Sequence, residues 1–126
     1  MTEANQPAIK SLVIVDDEVE LLDLLKDILE DEGHRVVACS DPERVQSLVL
    51  GVEPYLFLVD LMLPGIDGIE LASRLRAGHF RDTPIIAMSA SAAMLAAARR
   101  STLFQETLAK PFDLSTMLGY VERYVA

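Results

Sequence analysis

Asp16, Asp17, Asp60, Ser89 and Lys110 each stand where a run of Leu, Ile, Val and Ala stops. If those runs are strands of one parallel sheet, their ends gather along one edge. There the five residues would meet as three carboxylates, a hydroxyl and an ammonium. Three close carboxylates repel, and each raises the others' pKa unless a positive charge intervenes. A hard cation with oxygen ligands removes that penalty, and Mg²⁺ takes few carboxylates plus water and phosphate oxygens. Asp60 is the candidate nucleophile, because a carboxylate can attack a phosphoryl donor and become an aspartyl phosphate. Lys110 would offer charge to the phosphoryl oxygens and Ser89 one hydrogen bond, with in-line positioning doing the rest.

Each residue also has a plainer reading in isolation. Asp16-Asp17 could cap a helix, Ser89 could be a strand-end hydroxyl, and Lys110 could be a surface lysine. Helix-dipole compensation at Asp16-Asp17 would not require Asp60 and Lys110, and Pro111 directly after Lys110 argues for a fixed turn. Met62, Met88, Met94 and Met117 read as core or edge filler. His34 and His79 lie beside turns and read as solvated, Cys39 as a small buried hydrophobe, and Arg99-Arg100 as a solvated helix end.

The elements that must hold these residues are legible from periodicity. Lys10–Val15 is apolar on both parities, as a strand buried on both faces would be. From Val19, leucines and Ile28 recur at helical spacing until Gly33 supplies a stop. Arg35–Cys39 follows as a strand, and Asp41-Pro42 opens a helix through about Leu50. Tyr55–Val59 is the third strand, ending at Asp60. A loop rich in Pro and Gly covers 61–68, before an amphipathic helix over Ile69–Ala77. Pro84–Met88 gives a fourth strand, Ala92–Arg100 an Ala-rich helix, and Glu106–Ala109 a fifth strand. Asp113 is expected to cap a last helix with Leu114, Met117, Leu118, Val121 and Val125 inward. Strand and helix alternate five times, which calls for an α/β fold with a doubly wound five-stranded parallel sheet.

At 126 residues the chain suits one domain, with 51% hydrophobic residues to fill a sheet covered on both faces. We expect a flexible segment over 1–8 and one domain over 9–126, with no separate output domain. A net charge of −9 disfavours nucleic acid and anionic membranes. No apolar run is long enough to span a bilayer, and the first ten residues lack a signal-peptide layout. A single cysteine fits a reducing, cytoplasmic setting.

The ordered set Asp16-Asp17, Asp60, Ser89 and Lys110-Pro111-Phe112, with the loop Leu61-Met62-Leu63-Pro64-Gly65-Ile66-Asp67-Gly68, resembles the receiver domain of two-component response regulators over nearly the whole chain. The resemblance implies a flavodoxin-like (βα)5 architecture and phosphoryl transfer to Asp60 from a histidine kinase or histidine phosphotransfer protein. It further implies Mg²⁺ held by Asp16, Asp17, Asp60 and the Met62 carbonyl, and a Lys110-Pro111 peptide bond that is commonly cis. Output would pass to a downstream protein through the last two helices and the fifth strand, in a monomer or weak homodimer. One departure bears on output: Thr107 occupies the place where the family usually has Tyr or Phe. A stand-alone phosphoacceptor switch is the leading expectation, and a phosphorelay shuttle the alternative. With no carboxylate or amide at Met62 or Ser91, self-dephosphorylation is expected to be slow to moderate. A phosphohydrolase of the haloacid-dehalogenase type would need an acid where Met62 stands, and a docking module without phosphorylation would not need the acidic set.

Overall fold

Apolar strands and amphipathic helices alternate along the chain, and the computed structural model, which describes residues 9–125, converts that alternation into a layered sandwich. Its elements are β1 (Ile9–Val15), α1 (Val19–Asp31), β2 (Val36–Cys39), α2 (Val45–Leu48), β3 (Val52–Asp60), α3 (Gly68–Ala77), β4 (Ile85–Ser89), α4 (Ala92–Ser101), β5 (Glu106–Ala109) and α5 (Leu114–Tyr124). The five strands form one parallel sheet in the order β2-β1-β3-β4-β5. The expected flexible segment over 1–8 lies outside the described residues.

Side-chain alternation divides the core. Leu12, Ile14, Leu56, Leu58, Ile86 and Met88 face Leu22, Leu25 and Leu29 of α1 and Met117 and Val121 of α5. Val13, Val15, Phe57, Val59 and Ile85 face the other way, toward Val45, Val49, Leu71, Ala72 and Leu75. Ala87 and Leu61 meet Leu95 and Ala98 of α4 in a smaller cluster. Helices therefore cover both faces, and the strands read as unbroken apolar runs for that reason. Gly33 ends α1 as expected, with φ of +97°. The Gly33 and His34 amides donate to the carbonyls of Glu30 and Leu29.

The structure departs from the expected elements at several points. β3 begins at Val52, upstream of Tyr55, and includes Pro54. Its pairing with β1 shifts between Ser11 and Leu12, so that Tyr55 is an extra residue. Proline lacks the ladder donor and is tolerated at such an irregularity. The helix expected from Pro42 starts as a 3-10 turn over Pro42–Arg44, and its α-helical part is only Val45–Leu48. Asp41 does cap it, accepting from the Glu43 amide at 3.0 Å. At α5, Asp113 occupies the N-cap without a side-chain hydrogen bond. Its backbone carbonyl instead accepts from Thr116 and Met117. Leu114 is 44% exposed rather than inward, because it lies at the first helical position, above the sheet edge.

Candidate functional site

β1 and β3 are adjacent in the sheet, so the residues after them become neighbours despite their separation in sequence. Asp16 is fully buried and Asp60 is 5% exposed. Together with the exposed Asp17, they offer carboxylate oxygens that all lie within 4.8 Å of one another. Lys110 leaves the end of β5 and crosses to both buried acids. Its Nζ donates to Asp16 Oδ2 at 2.7 Å and to Asp60 Oδ2 at 2.9 Å. The remaining oxygens are also engaged. Asp16 Oδ1 accepts from the Glu18 amide at 2.9 Å, and Asp60 Oδ1 from the Met62 amide at 2.9 Å.

The electrostatics follow from this count. Burial pushes Asp16 above the ordinary carboxylate range, and the bonds from Lys110 and the Glu18 amide only partly oppose it. At Lys110 burial pulls downward, yet its hydrogen bonds and charge contacts with Asp16 and Asp60 together outweigh that and hold it above its usual value. One lysine faces several carboxylates, so the site is short of positive charge. The set of hard oxygen donors therefore fits a divalent cation of the Mg²⁺ or Ca²⁺ type.

Ser89 ends β4 fully buried, and its Oγ accepts from the Ser91 amide at 3.0 Å. That leaves the hydroxyl proton free to be donated elsewhere. Ser91 in turn caps α4, its Oγ accepting from the Met94 amide at 3.1 Å. The Lys110 amide donates to the Ser89 carbonyl at 2.9 Å, which ties the two strand ends together. The Lys110-Pro111 bond is cis. Beside Lys110 runs a groove of about 460 Å³ lined by Leu21, Leu24, Phe112 and Leu114, with Glu18 at its rim.

Three contributors escaped the sequence reading. Glu18 brings a carboxylate 3.5 Å from Lys110 Nζ, and its place directly after the acidic pair was the available signal. Gly68 abuts the site from α3: a Cβ there would sit 2.5 Å from the Asp60 carbonyl oxygen. Ser91 was read only for what it lacks, yet it caps α4 and holds Ser89. Other readings need correction. Met62 is 56% exposed and fills no core. His34 is half-buried and shares a hydrogen bond with the Tyr55 hydroxyl. Arg99 is exposed at the end of α4, as expected, and in addition donates from Nε to Thr107 Oγ1 at 3.1 Å.

Among the described residues no helix is long and apolar enough to cross a membrane. The family model described as the response regulator receiver domain matches residues 12–122. An uncharacterized 14.6 kDa protein of Leptolyngbya boryana is 35% identical over 116 residues, covering 90% of this chain and 88% of that protein. The phosphate regulon transcriptional regulatory protein PhoB of Pseudomonas aeruginosa is 35% identical over 82 residues, 64% of this chain. The chain spans 36% of that regulator's length and 47% of that of a second relative, the uncharacterized transcriptional regulatory protein YbdJ of Bacillus subtilis. Among solved structures, the response regulator TrrA of Thermotoga maritima, in complex with Mg²⁺-BeF, superposes with a TM-score of 0.82 at 26% identity, covering 93% of this chain and all of that one. The receiver domain of NtrX from Brucella abortus gives 0.82 at 27% identity, covering 90% and 97%. With a family match across nearly the whole described chain and the same five-stranded fold, the chain belongs to the receiver domains of two-component response regulators.

Proposed function

We propose that Asp60 accepts a phosphoryl group from a phosphohistidine donor, a histidine kinase or a histidine phosphotransfer protein, and that the chain passes the signal on through protein contacts. The observation that carries this is the grip of Lys110 on Asp60 and Asp16 inside a trio of carboxylates. In the step, an oxygen of the Asp60 carboxylate forms a bond to phosphorus as the P–N bond of the donor breaks. The departing imidazole nitrogen keeps the electron pair and takes a proton from water. Lys110 can turn its ammonium from the carboxylates toward the incoming phosphoryl oxygens, and Ser89 can donate its hydroxyl proton to one of them.

Asp16, Asp17, Asp60 and the Met62 carbonyl would hold Mg²⁺, for which the Mg²⁺-BeF complex of the similar TrrA structure is support. Bound there, the ion would neutralise charge on the carboxylates and the phosphoryl group. The Met62 amide orients Asp60 by holding Oδ1. Burial of Asp16 and Asp60 keeps bulk water from screening these charges. The chain's chemistry is confined to its own phosphorylation and dephosphorylation, with no small-molecule turnover. The apolar groove of Leu21, Leu24, Phe112 and Leu114 opens beside Lys110 and suits the approach of a donor. Output would run through α4, β5 and α5. A relay role is the second reading, favoured by Thr107 being held by Arg99 where an aromatic side chain would otherwise stand.

Asp60→Asn tests the assignment. Phosphorylation by acetyl phosphate with Mg²⁺ should vanish while the circular dichroism of the fold persists. Labelling of the variant at the wild-type level would overturn it.

A further inference from the structure

Arg76, in the last turn of α3, has no part in the chemistry above, yet among the described residues it is the most heavily hydrogen-bonded side chain outside the site. Its guanidinium contacts five oxygens from two separate segments. Nη1 donates to the carbonyls of Phe80 at 2.8 Å, Arg81 at 3.2 Å, and Thr83. Nε and Nη2 reach the Leu103 carbonyl at 3.3 and 2.7 Å, and Nη2 also reaches Gln105 Oε1 at 3.0 Å. No ion pair among the described residues includes it. Its hydrogen bonds all go to neutral carbonyl oxygens, with the charge of Asp82 acting nearby. A planar fork of five N–H donors can hold two chain segments at once, which a lysine ammonium on the same stem cannot.

The two segments are those that lead into β4 and β5. Gln105 completes the tie: its Oε1 also accepts from the Ile85 amide at 2.7 Å, and its own amide donates to the Ile85 carbonyl at 2.9 Å. Ser89 lies four residues beyond Ile85, and Lys110 four residues beyond Glu106. β5 is a four-residue strand at the sheet edge with β4 as its single partner. Such a strand has few ladder bonds of its own, so its placement depends on what anchors its start. At its other end, α3 is pressed against the Asp60 carbonyl through Gly68. Arg76 thus closes a circuit from Asp60 along α3 and back through the starts of β4 and β5 to Ser89 and Lys110.

We propose that Arg76 is a positioning residue for the phosphoryl site, clamping the starts of β4 and β5 so that Lys110 reaches Asp16 and Asp60 together. It rests on the reading of Asp60 as acceptor only where phosphorylation is the readout; the placement of Lys110 is measured independently. In Arg76→Ala, mass-spectrometric acetylation should find Lys110 modified several-fold faster than in wild type, with Lys10 and Lys26 unchanged as internal references. The rate of phosphorylation by acetyl phosphate with Mg²⁺ should fall roughly tenfold to a hundredfold, the scale of small misplacements of reacting groups. Millimolar methylguanidinium should restore both, whereas methylammonium, lacking the fork, should restore neither. In a Lys110→Met background, Arg76→Ala should cost less than about twofold further, since both changes act through one contact.

Unchanged Lys110 acetylation in a folded Arg76→Ala protein would overturn the proposal. So would losses from the two substitutions that simply multiply. Should Arg76→Ala fail to fold, Arg76→Lys, which keeps the charge and stem but loses the fork, is read by the same acetylation test. If wild-type protein takes no phosphoryl group while Lys110 acetylation still follows Arg76, the acceptor reading fails and the clamp stands.

Discussion

At Asp16 the fold buries a carboxylate completely and sets it among two more acids, with one lysine to balance them. A carboxyl held above its ordinary range is one whose ionised form the fold disfavours, so the ionised site carries strain that a bound cation would relieve. If the site holds Mg²⁺ as proposed, metal binding and folding stability are linked. Mg²⁺ at a hundredfold its Kd should raise the unfolding free energy of the wild type by about 2.7 kcal/mol. Asp16→Asn should show less than half of that gain at the same Mg²⁺ concentration, measured by urea unfolding with and without the ion. Equal gains in both proteins would remove Asp16 from the ligand set. Lys110 is the counterpart: two hydrogen bonds to acids that follow different strands make it the residue that ties the site together.

Among the elements, α3 and β5 carry the most information about how the site is held. The N-terminus of α3 packs so tightly under the Asp60 backbone that Gly68 has no room for a methyl group. An added Cβ would lie 2.5 Å from the Asp60 oxygen and 2.7 Å from the Leu61 Cα, both backbone atoms. Backbone cannot swing aside as a flexible side chain can, so either the loop or the helix must shift. Gly68→Ala should lower stability by about 1–3 kcal/mol, the range for overpacking, and slow phosphorylation by displacing Asp60. A chemical-denaturation midpoint unchanged from wild type would show that the loop yields without cost. β5 is held differently, by β4 on one side, by Arg76 at its start, and by the contacts of Glu106 with Arg123 and Tyr124 of α5. Helix α4 joins it through Arg99 and Thr107, so the proposed output face is tied by side-chain hydrogen bonds rather than by an aromatic ring.

At the scale of the whole molecule, Tyr55, Tyr124 and Lys110, which ordinarily titrate in the alkaline range, are all raised. The hydrogen bond to Glu106 raises Tyr124, and burial raises Tyr55, while the acids around Lys110 raise that lysine. A group whose folded pKa exceeds its unfolded value contributes stability that is complete below the unfolded value and lost as pH climbs through the folded one. Stability should therefore decline above pH ~10. Replacing Tyr55 and Tyr124 with Phe should flatten that decline, as followed by urea unfolding across the alkaline range. A profile identical to wild type would mean that neither phenol is coupled to folding.

The architecture was legible because strands buried on both faces read as unbroken apolar runs, and helices at a boundary read as stripes of period 3.6. Both are local patterns, and so are the polar residues that end the runs, which is why Asp16, Asp17, Asp60, Ser89 and Lys110 could be picked out as candidates. What the chain alone did not reveal depends on contacts between distant segments. Lys110 meets Asp16 and Asp60 across sequence gaps of 94 and 50 residues. The third strand was expected only from Tyr55, yet it starts at Val52 and runs through Pro54, where its register against β1 shifts. Leu114 matched the inner stripe of its helix, yet the placement of α5 left it exposed beside Lys110. The clamp of Arg76 had no signature at all, because four of its five partners are backbone carbonyls, which every residue possesses. Residue type and spacing determined which chemistry the chain could hold. Tertiary packing decided which oxygens and nitrogens face one another, since those pairings arise from non-local geometry that no short window of sequence encodes.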